Sequence, residues 1–339
     1  MAPRRITRAR EILPPGAPRL GFGCGDLYGG AHSAGSRALL QAALDAGIRW
    51  FDVARLYGDG AAEAVLGQVL PCMRDEIVLV SKAGIVPWSM QTGARVTRKA
   101  QVLARRLAGP LGPRLIPEPQ SARERYGVFD PAALRRSVER SLRDLRTDRL
   151  DLLLLHECSL AHARAPETQR LLERLRTEGK VLRFGVATGA SETIRILQAI
   201  PEAIEVAQFP SDAADPAIAR VPQAWSGLVV THSPVRRMLA GLEARLAAEP
   251  ALAQRWREDA GVDPGDRSAL VALLIADALD RNPEGAVLFS TSRPERVAPT
   301  LKASLATDGR AIRLLRQTLE AASCPALPGP PSDAVQAVA

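Results

Sequence analysis

Four residues stand where short apolar runs end. Asp52 lies near the end of "IRWFDV" (48 to 53), and Tyr57 follows it in "ARLYGDG". Lys82 closes "EIVLVSK" (76 to 82), and His156 closes "LDLLLLH" (150 to 156). Taken singly, each has a structural explanation: a helix cap, a packed phenol, a solvated ammonium, a satisfied core imidazole. Jointly they have the chemistry of carbonyl reduction. A phenol with a pKa of about 10 donates its proton poorly near neutrality unless a neighbouring cation lowers that value. Lys82 is expected to supply the cation, Asp52 to keep the ammonium charged, and His156 to orient a carbonyl oxygen beside Tyr57.

That chemistry needs three runs side by side with their ends on one patch. The sequence contains eight candidate strands: 19 to 25, 48 to 53, 76 to 82, 150 to 156, 181 to 187, 204 to 209, 227 to 233 and 285 to 290. Helical stretches are expected between them at 36 to 47, 60 to 70, 130 to 145, 166 to 178, 191 to 199, 266 to 281 and 293 to 303. In "DPAALRRSVERSLRDL", Asp130 can cap the first turn, Pro131 suits the first helical position, and Leu134, Val138, Leu142 and Leu145 recur at helical spacing. Nearly continuous apolar strands alternating with helices favour a parallel sheet covered on both faces. Eight such units fit an α/β fold of the (β/α)₈ barrel type, a TIM barrel, better than the alternative of an open doubly wound sheet. "GFGCGDLYGG" lacks the G-x-G-x-x-G spacing that a Rossmann fold needs, and no helix is expected to start on it. In a barrel the active site lies at the carboxyl ends of the strands, where these polar residues stand.

The expected organisation is an N-terminal extension (1 to 17), one barrel domain (18 to 322) and a flexible Pro- and Ala-rich tail (323 to 339). A long insertion, 85 to 129, follows the third strand. Its excess of arginine suggests either a basic lid selecting an anionic or glycosyl substrate, or simply a solvated charged face. The net charge of +8 is spread along the chain and mixed with acids, and aromatics are only 4%, which argues against nucleic acid as a partner. No run approaches the roughly 18 apolar residues of a membrane span, and no secretory signal is evident, so a soluble cytoplasmic protein is expected. The four cysteines are scattered without a metal-binding spacing; reduced structural thiols and no metal site are expected.

At this point the sequence resembles the aldo-keto reductase superfamily, over roughly residues 18 to 305. "GIRWFDVARLYGDGAAEAVLGQVL" is similar to that family's second strand, active-site loop and following helix. "VLVSKAG" resembles its lysine strand, "SVERSLRDLRTDRLDLLLLHE" its histidine segment, and "LRTEGKVLRFGVATGAS" its fifth-strand unit. The resemblance implies a catalytic tetrad of Asp52, Tyr57, Lys82 and His156. It also implies hydride transfer between a nicotinamide cofactor and a small carbonyl or sugar substrate, without a Rossmann domain. Gln208 matches the residue that holds the nicotinamide carboxamide, and Ser233 a serine of the diphosphate loop. His232 stands where the family has a stacking aromatic, and Ala187 and Thr188 replace its usual Ser-Asn pair. Ser290, Thr291, Arg293 and Arg296 are implied around the adenosine phosphate. Arg296 can pair with a 2′-phosphate, which favours NADPH over NADH, while Pro299 and Thr300 depart from the family's Glu-Asn. The alternative is a non-catalytic barrel that binds nucleotide as a sensor or assembly subunit.

Overall fold

A computed structural model of the chain describes residues 6–87 and 124–320. Eight strands, β1 (Leu20–Gly23), β2 (Trp50–Asp52), β3 (Val78–Ala83), β4 (Leu150–His156), β5 (Val181–Ala187), β6 (Val206–Pro210), β7 (Leu228–His232) and β8 (Ala286–Phe289), form a closed barrel in chain order. All eight pairings are parallel, including the closing pair of β1 with β8. This is the expected (β/α)₈ barrel.

Strand alternation explains why it closes and where the polar ends point. Trp50, Val78, Val80, Leu152, Leu154, Val206, Leu228, Val230, Ala286 and Leu288 pack together inside the barrel. Their neighbours Phe51, Leu79, Leu153, Leu155, Phe184, Ala207, Phe209 and Val287 pack outward with the helices. Successive strand residues face opposite sides, so Asp52, two beyond Trp50, faces inward. Lys82, two beyond Val80, and His156, two beyond Leu154, do the same. The register places Asp52 opposite Val80 and Lys82 opposite Leu154, so the three ends reach the same rim.

The helices are α1 (Ser33–Asp45), α2 (Ala62–Val69), α3 (Pro131–Leu145), α4 (Leu160–Arg164), α5 (Pro166–Thr177), α6 (Ala190–Ala199), α7 (Leu239–Ala248), α8 (Pro250–Ala260), α9 (Arg267–Arg281), α10 (Val297–Ala306) and α11 (Gly309–Glu320). Asp130 caps α3 by accepting from the Ala133 N–H at 2.9 Å, with Pro131 in the first turn. Three substantial helices, α7, α8 and α11, were not expected. They build a satellite core with α9, in which Leu242, Leu246, Trp256, Leu273 and Leu315 are buried and Trp256 Nε1 donates to Thr318 Oγ1 at 3.1 Å.

The segment expected as an extension closes the bottom of the barrel. Ile6, Ala9 and Leu13 belong to the barrel's interior cluster, and the Ala9 N–H donates to the Glu284 carbonyl at 2.7 Å. At the other end, the insertion leaves and returns through an antiparallel bridge between Val86 and Arg125, with N···O distances of 2.9 and 3.0 Å. The proposed basic lid and the tail fall mainly on 88–123 and 321–339, outside the described residues. Cys24, Cys72 and Cys158 are free thiols. Among the described residues no helix is long and apolar enough to cross a membrane.

Candidate active site

The loop after β2 is built to present one side chain. Gly58, Asp59 and Gly60 all have positive φ, at 59°, 57° and 82°, which turns the chain sharply after Tyr57. A Cβ on Gly58 would lie 1.8 Å from the Leu27 carbonyl oxygen, so only glycine fits there without a shift of backbone. The turn holds the Tyr57 phenol over the barrel rim, half-buried against the core.

There the four strand-end residues meet. The Lys82 ammonium pairs with Asp52 Oδ1 and donates to the Val53 carbonyl at 3.3 Å and to Tyr57 Oη at 3.2 Å. The imidazole of His156 stands edge-on to the Tyr57 ring, with centroids 6.2 Å apart. Gln208 Nε2 donates to Asp52 Oδ2 at 3.0 Å, which gives both carboxylate oxygens a donor.

Burial sets the electrostatics. It raises the Asp52 carboxyl, against the pull of Lys82 and two hydrogen bonds. Burial alone would lower the Lys82 ammonium, but Asp52 and Tyr57 hold it above its ordinary value, so it is charged. For Tyr57 burial again dominates: Lys82 pulls the phenol down, yet the net shift is upward. This corrects the expectation that Lys82 brings the phenol below its ordinary range; in this state Tyr57 is a protonated donor. Burial, then the Lys82 charge, lowers His156 to about 3 and His232 to about 4, so both are neutral imidazoles at physiological pH.

A cavity of about 900 Å³ opens above this cluster and is lined by all four residues. Gln208, His232, Ser233, Ser290, Thr291 and Arg296 line it too. Arg293 does not; its N–H donates to Thr291 Oγ1 at 3.2 Å as the chain enters the turn Pro294–Arg296. His232 Nδ1 lies 2.9 Å from Ser233 Oγ. Ser233 and Glu157, each immediately after an inward-facing histidine, have positive φ of 61° and 50°, a strained conformation concentrated at the rim. Gln208 Oε1 is buried and has no partner, although its residue lines the cavity. A buried acceptor of this kind is costly unless a donor reaches it, and a primary amide N–H has the required chemistry.

Further polar lining residues were missed in the sequence, among them Asp26, Glu157, Arg236, Arg267 and Ser268. Arg236 lies three positions after Ser233, and Arg267 and Ser268 open α9. The available signal was the cap: Asp266 accepts from the Ser268 N–H at 2.8 Å, and Arg267 pairs with Glu243 at 2.7 Å.

A model of the aldo/keto reductase family matches residues 19–210. The chain is 33% identical over 186 residues to a D-threo-aldose 1-dehydrogenase from a Pseudomonas species, covering 52% of each protein. It is 33% identical over 165 residues to a 6-dehydroglucose reductase from Agrobacterium fabrum, covering 48% of this chain and 46% of that one. The chain thus spans about half the length of these curated relatives. Among solved structures, a glycerol dehydrogenase from Gluconobacter oxydans superposes with a TM-score of 0.66 at 19% identity, over 98% of this chain and 99% of that one. An aldo-keto reductase from Klebsiella pneumoniae in complex with NADPH superposes with a TM-score of 0.60 at 23% identity, over 94% and 96%. At these identities the structural likeness is one of fold.

Proposed function

The chain belongs to the aldo/keto reductase family, and from that premise we propose that it is an oxidoreductase moving hydride between NADPH and the carbonyl or alcohol carbon of an aldehyde, ketone or sugar. The observation that carries this reading is the chain of contacts from Asp52 through Lys82 to Tyr57 at the floor of the cavity. The sugar-directed names of the two curated relatives support the substrate class.

When bound, the nicotinamide supplies or accepts the hydride; everything else is done by side chains of this chain. Gln208 Oε1, buried without a partner, would accept from the carboxamide, and His232 and Ser233 line the same cavity. Ser290, Thr291 and Arg296 line the cavity and would hold phosphate, and a guanidinium suits a 2′-phosphate, which favours NADPH while leaving NADH as a weaker alternative. His156 donates an imidazole N–H that orients the carbonyl oxygen. Tyr57 gives its proton to that oxygen as negative charge develops, and the adjacent Lys82 ammonium stabilises the phenolate left behind. In the oxidative direction the same phenolate takes the proton from an alcohol. A barrel that only sensed nucleotide would need the cavity but not this buried proton-handling chain.

Tyr57→Phe tests the reading. With 4-nitrobenzaldehyde as the probe substrate, the variant should bind NADPH like the wild type and lose about 10²–10⁴-fold in turnover. Turnover at the wild-type rate would overturn the role of Tyr57; failure of both NADPH and NADH to bind the wild type would overturn the activity itself.

A further inference from the structure

Behind the site lies a second group of buried polar residues that the proposed reaction does not use. The Arg55 guanidinium, 3% exposed, pairs with Glu63, 1% exposed, and donates to Asp144 at 2.9 Å. Ser81 Oγ donates to the other Glu63 oxygen at 2.6 Å. Arg140 closes the charge balance by donating to Asp144 at 3.0 Å. None of Arg55, Glu63, Ser81 and Asp144 lines the cavity.

Their places in the chain are informative. Arg55 sits between Asp52 and Tyr57, on the loop that carries the phenol. Ser81 is the neighbour of Lys82 on β3 and points to the opposite face of the strand. Glu63 stands at the start of α2, directly after the tyrosine loop, and Asp144 at the end of α3. The 3.2 Å contact between Lys82 and Tyr57 depends on how that loop sits relative to β3. The buried network ties the same two elements together from the other side.

Resting on the proposed role of Tyr57, we infer that Arg55 and Glu63 are positioning residues that hold the phenol in register with Lys82 for proton transfer. A buried ion pair is a poor way to gain stability, since apolar residues of similar volume serve as well or better. What it adds is direction: the guanidinium and the carboxylate bond at defined angles, which fixes the loop where apolar packing would let it slide. Displacement of a reacting group by about 1 Å can cost on the order of 10²-fold in rate.

The test separates position from stability. The variant R55M/E63L/S81A replaces the network with apolar groups and leaves Asp144 paired with Arg140; E63Q is a second, volume-conserving variant should the first fail to fold. Each is measured as the full chain for NADPH affinity by tryptophan fluorescence, for kcat and KM with 4-nitrobenzaldehyde, and for thermal unfolding. The expected result is a folded protein with NADPH affinity and aldehyde KM near wild type, and kcat lowered roughly 10- to 100-fold. Wild-type kcat in either folded variant overturns the inference, as does a loss of NADPH affinity parallel to that of kcat, which would make the network a scaffold for the whole cavity. Tyr57→Phe runs alongside: if it keeps turnover, the role of Tyr57 has failed, whereas an inactive Tyr57→Phe beside a fully active network variant sinks only the positioning role.

Discussion

His156 and His232 make the site sensitive to acid through stability. Their folded-state values, about 3 and about 4, lie below the ordinary 6.5 because burial and the Lys82 charge disfavour imidazolium. As pH falls below 6.5 the unfolded chain takes up protons that the folded chain refuses. The folded state therefore loses stability from about pH 6.5 downward, by about 1.4 kcal/mol per pH unit for each histidine inside its window. The histidine contribution is complete above 6.5 and exhausted below about 3. Urea unfolding between pH 7 and pH 4 checks this, with His156→Gln/His232→Gln expected to flatten the slope; an unchanged slope in that variant would refute the assignment. At this scale the strand-end residues were legible, because a charged or titratable group that ends an apolar strand has few bland explanations once three do so together. The Arg55 network was not: Asp144 is 89 positions from Arg55, and only the fold brings them into contact. Nor could the sequence show that burial outweighs Lys82 at the phenol, since that balance depends on how much water the loop excludes.

The loop after β2 shows how local geometry serves the site. Gly47 and Gly58 both have positive φ, at 86° and 59°, but their surroundings differ. A Cβ on Gly47 would meet nothing within 4 Å, whereas one on Gly58 would overlap the Leu27 carbonyl. Gly47→Ala should therefore cost only the backbone strain, about 1–2 kcal/mol. Gly58→Ala should cost clearly more and also lower kcat, because the shift it forces falls next to Tyr57. Chemical denaturation of the two variants decides; equal losses would mean the loop yields freely. The eight strands were legible because burial on both faces leaves an almost unbroken apolar signature. Helices α7, α8 and α11 were not, for a related reason. A strand–helix alternation calls for one helix before β8, and Leu239, Leu242 and Leu246 serve a satellite core that the barrel period does not demand.

As a whole the molecule is polarised along the barrel axis, with the Asp52–Lys82–Tyr57 cluster at the carboxyl rim and apolar closure at the opposite end. A TIM barrel separates these tasks, chemistry at one face and stability at the other. The N-terminal segment belongs to the second: Ile6 is 2% exposed and Leu13 is 7% exposed, both within the interior cluster that includes Trp50, Val78 and Leu228. Composition concealed this, since "RRITRAREIL" reads as basic, while Ile6, Ala9 and Leu13 join the interior cluster and Ile12 and Ala17 pack against it. Ile6→Ala removes buried methyl groups from a site held by a short turn and one backbone bond to Glu284. Such truncations cost about 2–5 kcal/mol when the surroundings cannot collapse. The midpoint of thermal unfolding should fall by several degrees, while kcat, KM and NADPH affinity below the transition stay at wild-type values, because the barrel's full length of packed side chains separates the plug from the rim. A loss of turnover in a variant that is still folded would show that the two ends are coupled and that this division of labour is wrong.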